Sequence, residues 1–421
     1  MKILQIHKYC SRKRGGGSVT AFFETVALLK RKGHLVKVFS MRDPKNGEEF
    51  PAENFAEYFD LNQPVSFLKK IQLAFRCIFN FQAQKSLEKF LFNFQPQVAH
   101  IHNIYHYLTP AIFFTLKKKG IPLVMKLSDY KLLCPNYKLF NKGKICQKCR
   151  GGKYFYCFWG RCVKNSFLFS AIAMIEAYVH RFLGSYKKID LFLAPSVFMK
   201  NKCIEWGIAP ERVEVLRNTV DEKNFSAFLK IEKAKENDRY FLFYGRLSEE
   251  KGGRELLAVV AELKKQKKLF QRRLLIVGRG PQEDELQRII KEKHLEGIVS
   301  WQGFQQGEKL KKIIRKADFV VLPSIWWDNS PLVISEAQLL EKPVLASVLG
   351  GSPEMIIDGK TGLLFNPLRK IDFLEKLIKM LKMSEEELEK MGKAGRKNIL
   401  KLNDSENYYQ QLLNFYQKVL N

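Results

Sequence analysis

The chain has 421 residues, of which 46% are hydrophobic, and this length favours two or more domains with cores of their own. Lysine and arginine number 72 against 43 aspartate and glutamate, and this net charge of +29 favours an anionic partner: nucleic acid, acidic lipid or a phosphorylated metabolite. No run of 18 apolar residues predicts a spanning helix, and the first residues lack the apolar core of a secretion signal. We therefore expect a cytoplasmic protein, in which the eight cysteines are thiols or metal ligands rather than disulfides.

The first half alternates short apolar runs with amphipathic stretches, which is typical of parallel sheets covered by helices. The strands predicted there are 3–6, 35–39, 98–101, 122–127 and 191–194. A helix is predicted over residues 18–32, directly after a glycine-rich turn. Gly16 and Gly17 in that turn would let a phosphate or an acceptor approach the backbone.

A second alternating series follows a lysine- and glutamate-rich connector over residues 218–238. Its predicted strands are 240–244, 274–277, 299–301, 319–322 and 344–346. We therefore predict an α/β fold with two doubly wound, Rossmann-like domains facing each other across a cleft. The predicted domains are residues 1–217 and 218–403, and a closing helix over 404–421 is expected to pack back towards the N-terminal domain.

Ligands of open parallel sheets bind outside the carboxyl ends of the strands, so the loops of the second half are the candidate site. Arg246 and Lys251 lie five residues apart on one such loop and could hold a diphosphate from two sides, or could be a solvated basic turn. Gly278 follows the next strand in a tight turn, which by itself is a weak signal. Gly303 and Phe304 follow the strand after that.

The stretch WDNSPLVISEA at residues 327–337 brackets a predicted helix start between two carboxylates. Ser330 suits the N-cap and Pro331 the first helical position, which predicts a helix to about residue 340. Asp328 then precedes the helix and Glu336 ends its second turn. The alternative is that Asp328 only complements the helix dipole.

These second-half motifs together resemble the nucleotide-sugar-binding half of the family-four retaining glycosyltransferases, which have the GT-B fold. The resemblance rests on GRLSEEKG, VGRGP, SIWWDNSPLVISEA and KPVLASVLGGSPEMIIDGKTGLLF. It implies that Arg246 and Lys251 hold the donor diphosphate, that Glu336 binds the ribose hydroxyls and that Asp328 contacts the transferred sugar. The backbone from Asn329 through Ser330 and Pro331 to Leu332 would meet the phosphate and the sugar, with Gly303 and Phe304 near the base.

The resemblance also implies retention without an enzyme nucleophile. The leaving diphosphate would take the acceptor proton, and no catalytic divalent metal is expected, because no Asp-x-Asp motif is placed to hold one. The family usually has Glu at both ends of the eight-residue spacing, whereas this chain has Asp328 at the first. That difference leaves the identity of the sugar open.

Acceptor-side candidates lie in the first half. His102 ends a predicted strand two residues after His100, so the two imidazoles should share a face, as cleft-lining groups or as a zinc pair. Related enzymes often carry a histidine at the end of the next strand, where this chain has Ser128. Because serine is a poor base without help, we expect an active-site role for the adjacent Asp129 and keep His102 as the alternative.

Five of the eight cysteines fall within residues 134–162, in a segment predicted to be an insert over about 130–165. The Cys146-x2-Cys149 spacing is typical of a zinc knuckle. We predict a structural zinc site with Cys134, Cys146, Cys149 and Cys162 as ligands and Cys157 as the alternative. Free thiols and an iron–sulfur cluster are the competing interpretations.

The predicted function is transfer of a sugar from a UDP- or GDP-linked donor to a saccharide or lipid-linked acceptor in cell-surface polysaccharide synthesis. A zinc-containing nucleic-acid-binding protein and a same-fold epimerase or phosphorylase are the alternatives. The basic residues form no recognition helix, so no nucleic-acid partner is expected. Aromatic and basic residues over 66–94 and the apolar run 166–179 predict peripheral attachment to an anionic membrane surface, or helices packed on the first sheet.

Overall fold

Two six-stranded parallel sheets carry the fold, and each belongs to a different compact unit of the chain. The computed structural model describes residues 1–12, 16–46, 50, 54–60, 66–232 and 238–421. Unit 1 comprises Met1–Asn141, Cys146–Thr219 and Ser405–Asn421, and unit 2 comprises Lys142–Ile145 and Val220–Asp404. The predicted α/β class with two doubly wound sheets is confirmed. Gly15 and residues 233–237 of the predicted connector lie outside the described residues.

Unit 1 is built on a sheet with the order β2-β1-β3-β4-β7-β8. Its strands are β1 (Lys2–Ile6), β2 (Leu35–Phe39), β3 (Val98–Ile101), β4 (Leu123–Lys126), β7 (Leu191–Ala194) and β8 (Val213–Val215), and the two-residue strands β5 (Phe140–Asn141) and β6 (Lys144–Ile145) lie in the insert. Its helices are α1 (Gly17–Arg31), α2 (Phe67–Ile78), α3 (Phe81–Asn93), α4 (Ala111–Lys118), α5 (Phe155–Trp159), α6 (Phe167–Phe182), α7 (Val197–Glu205) and α15 (Ser405–Leu420).

Unit 2 is built on a sheet with the order β11-β10-β9-β12-β13-β14. Its strands are β9 (Tyr240–Tyr244), β10 (Arg273–Val277), β11 (Val299–Trp301), β12 (Val320–Leu322), β13 (Val344–Ser347) and β14 (Gly362–Phe365). Its helices are α8 (Lys223–Ser226), α9 (Gly253–Lys265), α10 (Glu283–Glu292), α11 (Gly307–Lys316), α12 (Leu332–Leu339), α13 (Lys370–Lys382) and α14 (Glu385–Leu402).

The sheet of unit 2 is buried on both faces because alternate residues of each strand enter different cores. Phe241 and Phe243 of β9 lie in one core, whereas Leu242 and Tyr244 lie in the other. For this reason its strands are continuous apolar runs rather than alternations of apolar and polar residues.

The closing helix α15 is held within unit 1 by buried polar contacts. The Tyr416 hydroxyl lies 2.7 Å from His100 Nδ1 and accepts a hydrogen bond from Gln5 Nε2 at 3.2 Å, while the Tyr408 hydroxyl lies 2.8 Å from Thr25 Oγ1. The residues of this contact are all buried.

One expectation about secondary structure is corrected, and two strands were missed. Ser330 is not an N-cap: Pro331 has an extended backbone (φ −71°, ψ 113°), so α12 begins at Leu332, and no side chain caps it. Strands β8 and β14 were not predicted, because each is short and is fixed by pairing with β7 or β13 rather than by a local pattern. Among the helices that the structure describes, none combines the length and the apolar content that crossing a bilayer requires.

Candidate active site

The strand order of unit 2 reverses between β9 and β12, the point at which ligands bind in doubly wound folds. From β9, the sheet extends through β10 and β11 on one side and through β12, β13 and β14 on the other. The loops 245–252 and 323–331 leave the carboxyl ends of these two central strands. They carry Arg246, Lys251 and Asp328, and the side chains of Lys251 and Asp328 meet at this point.

Lys251 and Asp328, one from each loop, form an ion pair. Lys251 Nζ lies 2.5 Å from Asp328 Oδ2, and Ser324 Oγ donates a second hydrogen bond to the same oxygen at 3.1 Å. Asp328 is buried, and the Lys251 ammonium also lies 5.3 Å from the ring centroid of Trp326. A buried carboxylate held by an ammonium and a hydroxyl is fixed in position before any ligand binds.

Glycines allow the loops to approach this pair closely. Gly350 has φ +76°, and a Cβ there would lie 2.2 Å from the carbonyl oxygen of Asp328. That carbonyl accepts a hydrogen bond from the Gly351 amide at 2.7 Å. Gly252 also has positive φ, and a Cβ there would lie 1.8 Å from the carbonyl oxygen of Pro323. The loops therefore require glycine at both positions.

Glu336 lies in α12, where Tyr244 at the end of β9 reaches it. The Tyr244 hydroxyl is 3.0 Å from Glu336 Oε2 and 3.1 Å from the carbonyl oxygen of Val333. Burial raises the pKa of Glu336 to about 7, and the Tyr244 hydrogen bond and the Lys311 charge oppose that rise. Glu336 is therefore a carboxyl group that changes protonation near neutral pH.

The other predicted donor-side residues outside the segment 329–332 lie in the loops that follow β9, β10 and β11. Arg246 is exposed, and its side chain makes no ion pair with any residue that the structure describes. The amide of Gly278 donates to the carbonyl of Gly303 at 2.7 Å, which links the loops after β10 and β11. The ring of Phe304 is 49% exposed.

The segment between Asp328 and α12 is well packed. Asn329 and Pro331 are buried, and Ser330 is half-buried. Leu332 is the first residue of α12, so its amide is one of those without an intrahelical acceptor. Such amides suit an anionic oxygen, although Ser330 does not cap this helix.

His102, in unit 1, is not on the surface. It is 1% exposed, its ring stacks on that of His100 with centroids 4.3 Å apart, and its Nε2 lies 2.8 Å from Gln5 Oε1. The two imidazoles share a face, as their spacing predicted. Burial holds the pKa of His102 well below its usual range, so the ring is neutral and belongs to the network that binds α15.

Asp129 belongs to a polar cluster at the carboxyl ends of the central strands of unit 1. It accepts hydrogen bonds from Asn103 Nδ2 at 3.1 Å and from the Lys131 amide at 3.0 Å. Burial raises its pKa, and Lys8 and Lys131 oppose that effect. Ser128 beside it is half-buried.

Gly16 and Gly17 lie at the exposed start of α1. Gly16 has φ +91°, and a Cβ there would meet no atom within 4 Å. Positive φ, rather than lack of space, is therefore the reason for glycine at this position.

The cysteines of the insert converge, although not as a tetrahedral centre. The Cys134 thiol donates a hydrogen bond to Asn136 Oδ1 at 3.0 Å, and the neighbouring Cys149 lowers the pKa of Cys134 against the effect of burial. Cys157 is fully buried in one cluster with Cys149, and Cys162 packs against that cluster. Burial raises the pKa of the less buried Cys146, and the Lys148 amide opposes that rise. Across the described residues, no three His, Cys, Asp or Glu side chains are grouped to hold a metal ion, so the zinc site stays a prediction.

Three contact residues of the site were not singled out in the sequence: Tyr244, Ser324 and Trp326. Tyr244 is the last residue of β9, so its position at a strand carboxyl end is the signal that could have identified it. Ser324 and Trp326 follow β12, and only the folded loop brings them to Asp328 and Lys251.

Comparison with known proteins gives a partial family match and a likeness of fold. Residues 224–398 match the family of glycosyl transferases group 1. The crystal structure of Anabaena Alr3699/HepE in complex with UDP has a TM-score of 0.66 and 20% identity to this chain and covers 99% of this chain and 100% of that one, a likeness of fold alone. The two doubly wound units thus define a fold of the GT-B class. The match to the glycosyl transferases group 1 family covers less than half of this chain and lies within unit 2.

Curated relatives match part of the chain. The putative colanic acid biosynthesis glycosyltransferase WcaL of Salmonella typhimurium is 26% identical over 250 residues, which are 58% of this chain and 59% of that protein. A Campylobacter jejuni enzyme, N-acetylgalactosamine-N,N'-diacetylbacillosaminyl-diphospho-undecaprenol 4-alpha-N-acetylgalactosaminyltransferase, is 31% identical over 193 residues, 44% of this chain and 50% of that enzyme. The chain thus spans about three fifths of the length of the first of these relatives.

Proposed function

We propose that the protein is a retaining glycosyltransferase that moves a sugar from a UDP- or GDP-linked donor to a saccharide or lipid-linked acceptor in cell-surface polysaccharide synthesis. The observation that carries this proposal is the convergence of Lys251, Asp328 and Glu336 at the switch point of unit 2. All three lie in the part of the chain that matches the family. The named functions of the relatives support the acceptor class.

In the proposed complex, Arg246 and Lys251 bind the diphosphate of the donor. Breaking the bond between the sugar and the diphosphate places the developing negative charge on the leaving phosphate, and two cations there stabilise the transition state more than the ground state. They would supply this charge without a catalytic divalent metal. On donor binding, Lys251 would contact the phosphate in place of Asp328, or would contact both.

Asp328 and Glu336 would orient the donor through hydroxyl groups. Glu336 accepts hydrogen bonds from the two ribose hydroxyls, and Asp328 accepts one from the transferred sugar, which fixes the ring for attack from the face that the diphosphate leaves. No enzyme nucleophile is required, because a phosphate oxygen of the leaving group takes the acceptor proton. Asp129 would position the acceptor in unit 1.

The test is thermal protection by a panel of UDP- and GDP-linked sugars. We expect one nucleotide to raise the unfolding temperature of the wild type. An Arg246→Ala/Lys251→Ala variant should have the melting curve of the wild type without nucleotide, and the nucleotide should change its unfolding temperature little. Matched protection of wild type and variant would reject the site. Release of the diphosphate with transfer to an added acceptor then distinguishes a transferase from an epimerase of the same fold.

The membrane is the proposed place of action. A lipid-linked acceptor has to be reached at a bilayer surface, and the net charge of +29 favours the anionic cytoplasmic face.

We also propose that four of the five cysteines of the insert bind one structural zinc ion. The spacing of Cys146 and Cys149 and the packing of Cys149, Cys157 and Cys162 in one small cluster support this. Because Cys157 is fully buried in this cluster, it competes with Cys146 for the fourth place. Metal analysis of protein purified without added metal should give one zinc per chain, lost in Cys149→Ser and kept in Cys203→Ala. Metal-free wild-type protein would reject the site.

A further inference from the structure

Helix α6 of unit 1 buries polar side chains and exposes large apolar ones. Its buried residues are Ser170, Ala173, Glu176 and His180, which recur every three or four positions and so share one face. Its other side exposes a stripe of large apolar side chains at spacings of seven, in which Leu168 is 64%, Ile175 43% and Phe182 91% exposed. A helix at a water surface normally has the opposite arrangement.

Each polar side chain of the buried face makes a specific contact, and these contacts fix the orientation of the helix. Glu176 Oε2 lies 2.5 Å from the ammonium of buried Lys131, and His180 Nε2 lies 2.7 Å from the carbonyl oxygen of Ile78. Ser170 Oγ accepts a hydrogen bond from the Val163 amide at 3.0 Å. Rotating α6 to hide its apolar stripe would break all of these bonds.

Neighbouring helices extend the apolar surface. Helices α2 and α5 both pack against α6. In α2 the exposed residues Leu68, Ile71 and Phe75 follow helical spacing, and in α5 the ring of Trp159 is 69% exposed. We call these exposed apolar side chains of α2, α5 and α6 the aromatic face; exposed apolar side chains grouped on neighbouring helices often mark an interaction site.

The chain segment that carries α5 and α6 is strongly basic. Residues 142–188 contain ten lysines and arginines and a single acidic residue, Glu176, which is buried. Arg161 lies 4.2 Å from the ring centroid of Phe167, and Lys164 lies 4.9 Å from that of Phe169. These cations thus lie at the edge of the apolar surface rather than remote from it.

We propose that the aromatic face is a docking surface for an anionic phospholipid bilayer, with α6 lying in the interface. The apolar stripe would enter the acyl boundary while the surrounding cations contact acidic head groups. A second copy of the chain is a poorer partner, because two such faces would bring like charges together. This inference deepens the proposed membrane location, and because its test measures lipid binding rather than sugar transfer, the two can fail separately.

The test is co-sedimentation with vesicles of phosphatidylcholine alone or with one part in four of phosphatidylglycerol. We expect the wild type to bind the mixed vesicles and not the neutral ones, and a Leu168→Ser/Ile175→Ser/Phe182→Ser variant to lose roughly tenfold in affinity per side chain. The matched control is Leu368→Ser/Ile371→Ser/Leu420→Ser, which removes exposed apolar side chains from outside the face and should bind normally. Arg161→Gln/Lys164→Gln should weaken binding most at low salt.

Nucleotide protection and melting curves of all variants should match the wild type, since every altered side chain is exposed or at the surface. Equal binding by the α6 triple variant and the control would overturn the proposal. So would failure of the wild type to bind mixed vesicles at low salt, or a wild-type dimer in sedimentation that the α6 variant abolishes, because a second copy would then be the partner.

Discussion

The protonation of Glu336 makes donor binding depend on pH in a direction that can be worked out. Its pKa of about 7 means that it is largely protonated at pH 6 and ionised at pH 8. Ribose hydroxyls donate hydrogen bonds to it, so binding favours the ionised form. If only that form binds, the apparent Kd is about tenfold larger at pH 6 than at pH 8.

The assay is calorimetric titration with the nucleotide sugar, whose two phosphates are both esterified and do not titrate in this range. Glu336→Gln keeps the shape of the side chain and should give a weak but flat profile. Tyr244→Phe removes a hydrogen bond that lowers the pKa of Glu336, so its midpoint should move to a higher pH. A flat wild-type profile, or a Gln variant with the wild-type slope, would refute the assignment of Glu336.

Three further predictions concern the same fold. Gly350→Ala and Gly359→Ala impose the same backbone strain, because both glycines have φ +76°. Only Gly350 lies against Asp328, so only Gly350→Ala should also lower kcat. Equal kinetic effects of the two substitutions would contradict this. Asp328→Asn should lower kcat by about 100-fold with a smaller change in donor affinity, and wild-type turnover of this variant would exclude a role in positioning the sugar. Tyr416→Phe should lower the free energy of unfolding by about 1 kcal/mol in denaturant titration, because it removes buried hydrogen bonds to His100 and Gln5; an unchanged midpoint would show that they are not stabilising.

Much of the fold was predictable because the strands of a doubly covered sheet are short apolar runs between turn signals. Residues 35–39, 98–101, 191–194 and 240–244 were predicted with the bounds that the structure has. The start of α12 was not, because Ser-Pro is compatible with an N-cap but the extended Pro331 delays the helix to Leu332. That choice depends on how the loop packs against the sheet, which no local pattern records.

The sequence predicted where the candidate site residues lie in the fold, but not which of them contact each other. The rule that ligands lie at strand carboxyl ends pointed to Lys251, Asp328 and Glu336. It could not show that Lys251 and Asp328 pair with each other, since they are 77 residues apart in the chain. The reversed polarity of α6 was also hidden, because an apolar run such as residues 166–179 does not say which of its faces is buried.

The most direct test of the central claim is a structure of the protein bound to a nucleoside diphosphate. We expect the diphosphate between Arg246 and Lys251, with both ribose hydroxyls within hydrogen-bond distance of Glu336. A nucleotide bound elsewhere, for instance at Gly16 and Gly17 in unit 1 with Glu336 untouched, would contradict it.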